Sequence, residues 1–235
     1  MDFSTIQNHV KNYLLDLPDE TEALIPDWIN LALREFEETH NFRYMEASQE
    51  YITTEAARQL GEKPSGWKES RAFPFIERDD GGRREIDWGA SASDMVRQYS
   101  DDADLSKGVP QFLLETPEAL EVYPFPDGQS DYADGEYVIE VPYWGFSEEL
   151  SDPSDTNWVT DNYPWYLIYA ATAKGMIFNR EEERATGYIG LANDQLTRAR
   201  RYDKRSRLPD RMSLSVRGRV FAPGRLPRRS ASRWR

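Results

Sequence analysis

Apolar residues near the N-terminus recur every three or four positions, which is typical of amphipathic helices. The first such run predicts a helix that starts near Ser4, with Ser4 and Gln7 at capping-box spacing, and ends before Pro18. A second run predicts a helix from about Pro26 to His40. The apolar faces of both helices must pack against other helices.

Two further helices are predicted in the C-terminal part. Pro164 stands at a tolerated first helical position, Asp161 or Asn162 is the candidate cap, and this helix should end near Asn179. The next begins at Glu181, with glutamates in its first turn and arginines in its last, as the helix dipole favours. At about 25 residues it is roughly 37 Å long. We expect the helical core to include Trp28, Leu33, Phe36, Trp165, Ile168, Ile189 and Leu196.

The middle of the chain, residues 42–144, alternates apolar and polar positions in short segments separated by turn signals, which is typical of strands. In residues 136–144, Pro142 predicts a position at a sheet edge or strand end. Residues 147–161 are rich in Ser, Asp and Pro and predict a loop. Residues 90–107 fit either a short helix or a polar loop.

This change of apolar period, from 3.6 to 2 and back to 3.6, predicts an α+β fold. A helical bundle built from the N- and C-terminal helices carries an inserted antiparallel β sandwich or barrel, and an extended tail follows. We expect residues 1–42 and 152–208 to form the helical domain, residues 43–151 the β-rich module, and residues 209–235 a basic C-terminal arm.

The net charge of −13 combines two regions of opposite sign. Residues 198–235 contain fourteen Lys or Arg and two Asp or Glu, a net +12, whereas residues 1–197 carry a net −25. An acidic body repels nucleic acids and membranes, and a basic tail attracts anionic surfaces of protein or nucleic acid. The tail is therefore the part that needs a partner.

The helical periodicity is lost after Pro209. Residues 212–235 hold seven arginines and no acidic residue, interleaved with six large apolar side chains. Ordering this segment costs more conformational entropy than burial of those side chains returns, so we expect residues 209–235 to be flexible until they meet another chain. Arginine pairs in a planar, bidentate way with carboxylates, so an acidic protein groove is a suitable receiver.

The residue types that catalysis needs are scarce. The chain has no Cys, which excludes disulfides, thiolate zinc sites and cysteine nucleophiles. His9 and His40 lack the spacing of metal ligands, residues 101–105 lack the glycine and closing glutamate of a calcium loop, and Gly81-Gly82 lack the lysine of a phosphate loop. We therefore expect no enzymatic activity, no catalytic site, no cofactor and no metal.

Membrane and export signals are also missing from the sequence. No apolar stretch approaches the roughly 18 residues that cross a bilayer, and the N-terminus lacks the pattern of a signal peptide. We expect a soluble cytoplasmic protein with no membrane partner. Aromatic residues make up 13% of the chain, and although core packing accounts for most of them, some fit a protein interface.

Six segments of the chain form an ordered pattern that covers most of residues 20–205. They are DWINLAL (27–33), GVPQF (108–112), LEVYPFP (120–126), YVIEVPY (137–143), LSDPSDTNW (150–158) and YPWYLIYA (163–170). Their order resembles the head-to-tail connector, or adaptor, proteins of tailed bacteriophages, especially the tail tubular protein A type of short-tailed phages.

The resemblance implies a structural virion protein. Such adaptors are assembled in the host cytoplasm into a homo-oligomeric ring, usually of twelve subunits, that docks beneath the portal protein at the head–tail junction. The ring extends the DNA channel used in genome ejection, without sequence-specific DNA binding, and provides the platform for the tail nozzle or tail tube protein. An acidic body suits such a conduit, because a wall that bound phosphates strongly would retard DNA.

The resemblance also suggests which residues carry the function. In similar adaptors the C-terminal segment reaches up along the portal, and the Gly and Pro content of this tail suggests an extended arm. The portal-binding candidates are Arg217, Arg219, Phe221, Arg225, Arg228, Arg229 and Trp234. Trp165 and Tyr188, in the two long C-terminal helices, are the candidates for contacts between subunits.

Two other classes of function stay open at this point. A nucleic-acid-binding protein could use the basic tail to contact phosphates while the body acts as a scaffold. A hydrolase with a pair of acidic residues could also exist, because the sequence does not show how far apart two carboxylates lie.

Overall fold

The computed structural model describes residues 1–15, 18–77, 82–89, 91–99, 107–129 and 136–207. The helices in these ranges are α1 (Phe3–Leu14), α2 (Asp19–Glu22), α3 (Ile25–Glu38), α4 (Ala92–Gln98), α5 (Trp158–Asn162), α6 (Pro164–Phe178) and α7 (Glu182–Arg207). A single 3₁₀ turn, Arg43–Met45, joins α3 to the first strand. The four longest helices lie in the parts of the chain where the apolar period predicted them.

The strands occupy the middle of the chain. They are β1 (Glu46–Ile52), β2 (Gln59–Glu62), β3 (Trp67–Ser70), β4 (Phe75–Glu77), β5 (Arg83–Glu85), β6 (Asp87–Trp88), β7 (Lys107–Gly108), β8 (Phe112–Glu115), β9 (Ala119–Tyr123), β10 (Phe125–Pro126) and β11 (Val138–Gly145). One sheet has the order β1-β11-β4-β5, with β3 also paired to β11, and all its pairs are antiparallel. The second has the order β2-β9-β8-β6, in which β6 and β8 run parallel, and β7 and β10 form a short parallel pair. The predicted α+β class is confirmed.

The two larger sheets share one hydrophobic core. Alternate residues of β11 and β4 face residues of β8 and β9, as strand geometry requires when one face is buried. This core contains Tyr51, Ile76, Ile86, Leu113, Leu120, Val122, Tyr137, Ile139 and Val141. The strands therefore pack as two layers, face to face.

The helices surround α6. Nine of the fifteen residues of α6 are buried, and it packs against α1, α3, α5 and α7. A helix that is apolar on most of its surface is expected at the centre of such a bundle. The helical core includes Trp28, Leu33, Phe36, Ile168 and Leu196, as predicted.

Two residues predicted for that core lie at its surface instead. Trp165 is 38% exposed and Ile189 is 43% exposed. Trp165 precedes the buried Tyr166, and Ile189 follows the partly buried Tyr188, so in each helix the buried face lies one position away from the predicted residue. Within α7 the core is filled mainly by small side chains, since Ala185, Ala192 and Ala199 are buried.

Two helix starts differ from the prediction. The N-cap of α1 is Asp2, whose carboxylate accepts the Thr5 N–H at 2.8 Å, and not Ser4. The predicted loop 147–161 ends in α5, which begins with a capping box between Asn157 and Thr160. Tyr163, and neither Asp161 nor Asn162, is therefore the N-cap of α6. Of the two alternatives for residues 90–107, a short helix is present as α4, capped by Ser91.

Pro142 lies in the middle of a sheet, because β11 has β1 on one side and β3 and β4 on the other. Pro142 is also the fifth of the eight residues of β11, so the prediction of a sheet edge or a strand end was wrong. The Pro142 carbonyl accepts the Arg71 N–H at 3.0 Å on the β3 and β4 side. Proline has no backbone N–H, and the N–H of any other residue at this position would point to the same side. It would meet the gap between the residues of β11 that pair with β4 and those that pair with β3. No ladder hydrogen bond is lost there.

Candidate assembly surfaces

Five ring side chains meet where α1, α6 and α7 pack together: His9, Tyr13, Trp165, Tyr169 and Tyr188, here called the aromatic cluster. The ring of Trp165 lies 5.7 Å from that of Tyr169 and 5.5 Å from that of His9. Tyr188 lies 6.2 Å from Tyr169 and 5.7 Å from Tyr13. The Trp165–Tyr169 pair is stacked and the other three are tilted or edge-to-face, all at separations that favour ring contacts.

The aromatic cluster brings together the two residues that the sequence singled out for subunit contacts. Trp165 and Tyr188 both contact Tyr169, from different helices. Pro164 begins α6 and leaves Trp165 in the first turn, where the ring packs only partly on α1. The sequence did not connect His9 or Tyr13 with them, because these residues lie about 150 positions away along the chain.

Tyr169, in the middle of this cluster, stays a neutral hydrogen-bonding group near physiological pH. Partial burial raises the pKa of Tyr169, and the neighbouring phenols of Tyr13 and Tyr188 raise it further. A neutral phenol at the rim of a packed ring cluster offers a donor and an acceptor beside apolar area. This combination makes Tyr and Trp frequent at the centres of protein interfaces.

A second surface is the end of α7, from which the basic arm departs. The buried carboxylate of Asp203 accepts the Arg43 N–H at 2.8 Å and lies 2.9 Å from Nε2 of His40. Arg43 donates to the Ser206 carbonyl at 3.3 Å, and Arg200 donates to the Thr39 carbonyl at 3.0 Å. These contacts fix the last turns of α7 to the segment between α3 and β1. The sequence placed His40 only at the end of a predicted helix and did not connect it with Asp203.

Glu37 is a buried carboxylate that joins the helical part to the segment after β11. It accepts hydrogen bonds from the Tyr44 hydroxyl at 3.0 Å and from the backbone and hydroxyl of Ser147 at 3.1 and 2.5 Å. Burial, together with the charge of Glu37, raises the pKa of Tyr44 well above its usual range. The phenol therefore remains a donor, and the carboxylate is fully occupied by structural hydrogen bonds.

The described residues contain no group of three or more His, Cys, Asp or Glu arranged to hold a metal ion. In the same ranges, no helix combines the length and the apolar character that crossing a bilayer requires. The predicted portal-binding residues Arg217, Arg219, Phe221, Arg225, Arg228, Arg229 and Trp234 lie outside the described residues.

Comparison with known families supports one of the classes that the sequence left open. A family model described as SU10 adaptor protein matches residues 1–217. The chain belongs to the SU10 adaptor protein family. No curated protein matches the chain.

Membership makes this chain a structural adaptor of a phage virion, a class that works with portal and tail proteins and is not an enzyme class. The resemblance to phage adaptors is confirmed at this level. An adaptor acts by binding other proteins. The exposed parts of the aromatic cluster and the last turns of α7, to which the basic arm is attached, are therefore candidates for protein contacts.

Proposed function

We propose that this SU10 adaptor is of the tail tubular protein A type and forms a closed ring of twelve subunits beneath the portal protein. The ring extends the DNA channel and carries the tail nozzle or tail tube protein on its opposite side. A head-to-tail contact between identical subunits that closes on itself gives cyclic symmetry. The family match supports the adaptor role, and the resemblance to the tail tubular type supports the size of the ring.

The observation that carries the subunit contact is the aromatic cluster. Its outer member Trp165 keeps 38% of its surface exposed while its ring already packs on His9 and Tyr169. A large side chain held in this way loses little conformational entropy on binding, so it is suited to anchor a neighbouring subunit. We propose that neighbouring helical parts meet side by side at this cluster, with Trp165 and Tyr188 in the contact.

The ring is tested by mass measurement of the adaptor mixed with portal protein. The wild-type chain should give a stoichiometric ring complex, and Trp165→Ala should shift the distribution towards monomers. Trp67→Ala is the matched control, because Trp67 stacks on Tyr143 in the β region, away from the cluster. Wild-type monomers that never bind portal would refute the proposal, and equal effects of the two substitutions would exclude the cluster as the contact.

The basic arm, residues 209–235, is proposed to dock on the portal. Its arginines suit carboxylates, and Phe221 and Trp234 would serve as apolar anchors. Deletion of the arm should leave the fold intact and abolish or greatly weaken docking. Phe221→Ala and Trp234→Ala separate a protein contact from a DNA contact, because phosphates tolerate both substitutions and an anchored groove does not. If both are silent and salt alone governs binding, the tail is a nucleic-acid contact and the portal role is wrong.

We also propose that residues 1–42 and 152–208 act as the ring-forming domain and residues 43–151 as an inserted module. This division is supported by the pairing of Glu46 with Trp144, because the chain enters the β-rich module and leaves it through two strand ends that lie side by side. DNA would pass the acidic ring without specific binding, and assembly in the host cytoplasm would precede incorporation into the virion. Hydrogen exchange should show two sets of amides that open with different free energies.

A further inference from the structure

Strand β1 forms an edge of its sheet, and within the described part of the chain it pairs only with β11. Thr53, just after the strand, donates its N–H to the Tyr137 carbonyl, so the backbone groups of Tyr51, Gln49 and Ala47 also point towards β11. The backbone groups of the alternate residues Ser48, Glu50 and Ile52 therefore point away from the sheet. These three residues are exposed.

Exposed strand edges are usually blocked by Pro, charged side chains (above all Lys), a bulge or a covering segment. β1 has seven residues, no Pro or Lys, and a register with β11 that contains no bulge. Its charged side chains are Glu46, which pairs with Arg71, and Glu50, whose carbonyl also accepts the Gln49 side chain at 2.9 Å and keeps one lone pair for a further donor. Such an edge can accept a further strand by main-chain hydrogen bonding. The open question is which segment binds there.

The end of α7 lies beside the start of β1. Arg43 contacts Asp203 and the carbonyl of Ser206, and β1 begins at Glu46, one 3₁₀ turn further on. A turn of this kind advances about 6 Å. Three extended residues span up to about 10 Å, so residues 208–210 are long enough to bring the chain from α7 to the beginning of the free edge. The segment that follows is tethered next to its binding site.

The sequence of that segment matches the edge. Met212, Leu214 and Val216 alternate with polar residues, which is the pattern of a strand with one buried face. If this strand pairs with β1, its apolar face extends the side on which Tyr51 and Ile139 are buried.

Its other face, with an arginine at each end of the segment, extends the acidic side of the sheet. There Glu50 lies directly opposite Glu140. Arg83 pairs with Glu140 at 3.0 Å, whereas Glu50 has no ion-pair partner among the described residues. Two carboxylates opposite each other on a sheet destabilise it unless cations are near, and Arg217 would supply one.

We infer that residues 211–217 of the same chain form an additional strand on the free edge of β1, running parallel to it. The match to the SU10 adaptor family model extends to residue 217 and so includes this segment, whereas Phe221 and Trp234 lie beyond it. The edge of β1 gives this segment a surface on which to bury its apolar side chains, which the segment cannot do on its own. The part of the arm that reaches the portal then begins after residue 217, and Arg217 serves the body.

Hydrogen exchange on three forms of the protein tests this inference: the full chain, a chain that ends at residue 217, and a chain that ends at residue 211. The backbone N–H groups of Ser48, Glu50 and Ile52 should be protected in the first two forms. Their exchange should be at least about tenfold faster in the third, while the amide of Gln49 remains unchanged. Equal exchange at Ser48 and Glu50 in the chains ending at 217 and 211 would overturn the inference. Protection that persists in the shortest chain and grows with protein concentration would do so too, since a second copy would then occupy the edge.

A substitution in the full chain gives an independent test. Ser48→Pro removes only an N–H that points away from β11, and proline is tolerated on an edge strand. It should release residues 212–217 to rapid exchange, whereas Ser48→Ala should leave them protected. Equal protection in the two variants would contradict the pairing. Portal docking, measured on the same chains, reports on the proposed function separately, because the chain that ends at residue 217 should lose docking and keep its protected edge.

Discussion

Gly175 lets α6 pack closely on Leu14 of α1 and Trp28 of α3, and Gly175→Ala tests this packing directly. A Cβ at this position would lie 2.6 Å from Cδ1 of Leu14 and 2.8 Å from Cζ3 of Trp28, so these side chains, or the helices α1 and α3 that carry them, must shift. Overpacking of a core costs about 1–3 kcal/mol. Replacing a helical Gly by Ala returns up to about 1 kcal/mol of helix propensity. Since both contacts are shorter than van der Waals contact, we expect a net loss of about 1–2 kcal/mol.

For a protein of this size, each kcal/mol changes Tm by roughly 2–4 °C. Gly175→Ala should therefore lower the Tm measured by calorimetry by roughly 2–8 °C. The matched control is Gly187→Ala in α7, where the added Cβ meets no atom within 4 Å. The control should raise Tm by roughly 2–4 °C, because only the propensity gain applies. A Gly175→Ala protein as stable as the wild type would show that the helices can separate at no cost and would refute the reasoning.

Three further predictions concern polar contacts. Hydrogen bonds from Thr5 lower the pKa of Asp2, and hydrogen bonds from the backbone of Ser151 and Asp152 lower the pKa of Asp155. Both carboxylates therefore stabilise the fold above about pH 3.8, the ordinary pKa of Asp. This contribution is lost as the pH falls through their lowered pKa values. Replacing both with Asn should flatten the acid limb of a stability-against-pH curve, and an unchanged limb would contradict this. Glu37→Gln should lower the free energy of unfolding in urea by about 1–3 kcal/mol, whereas the exposed Glu38→Gln should change it by less than about 0.5. Asp203→Ala should speed amide exchange in residues 200–207, and Asp194→Ala, at an exposed position of α7, is the control. Equal exchange in the two variants would show that Asp203 does not hold the end of α7 in place.

The sequence predicted most of the helices and the position of the strands, because local periodicity reports which face of an element is buried. It failed where the deciding contact is remote. Pro142 sits in a central strand because two different strands, β3 and β4, share that side of β11 and leave a gap at the proline. No local pattern reports the ends of partner strands.

The role of Trp165 and Tyr188 in subunit contacts stays a prediction. Both lie in the two long C-terminal helices to which the sequence assigned them, but their shared neighbour Tyr169 and the contribution of α1 depend on how the three helices pack. The contact between His40 and Asp203 at the end of α7 was not predicted, because the two residues are 163 positions apart. Neither residue stands out in the sequence by itself. Contacts of this length follow from the tertiary fold and leave no short-range signal.

The pairing of Glu46 with Trp144 has a consequence for how this chain can change. The residues between them leave the helices and return to them through two adjacent strand ends held in register by seven residue pairs. A segment of another length or fold that joins Ile52 to Val138 would keep these seven pairs and hence the positions at which the chain leaves and re-enters the helical part. An engineer could exchange the intervening segment for an unrelated hairpin or domain, and use the helices as a fixed frame that displays it.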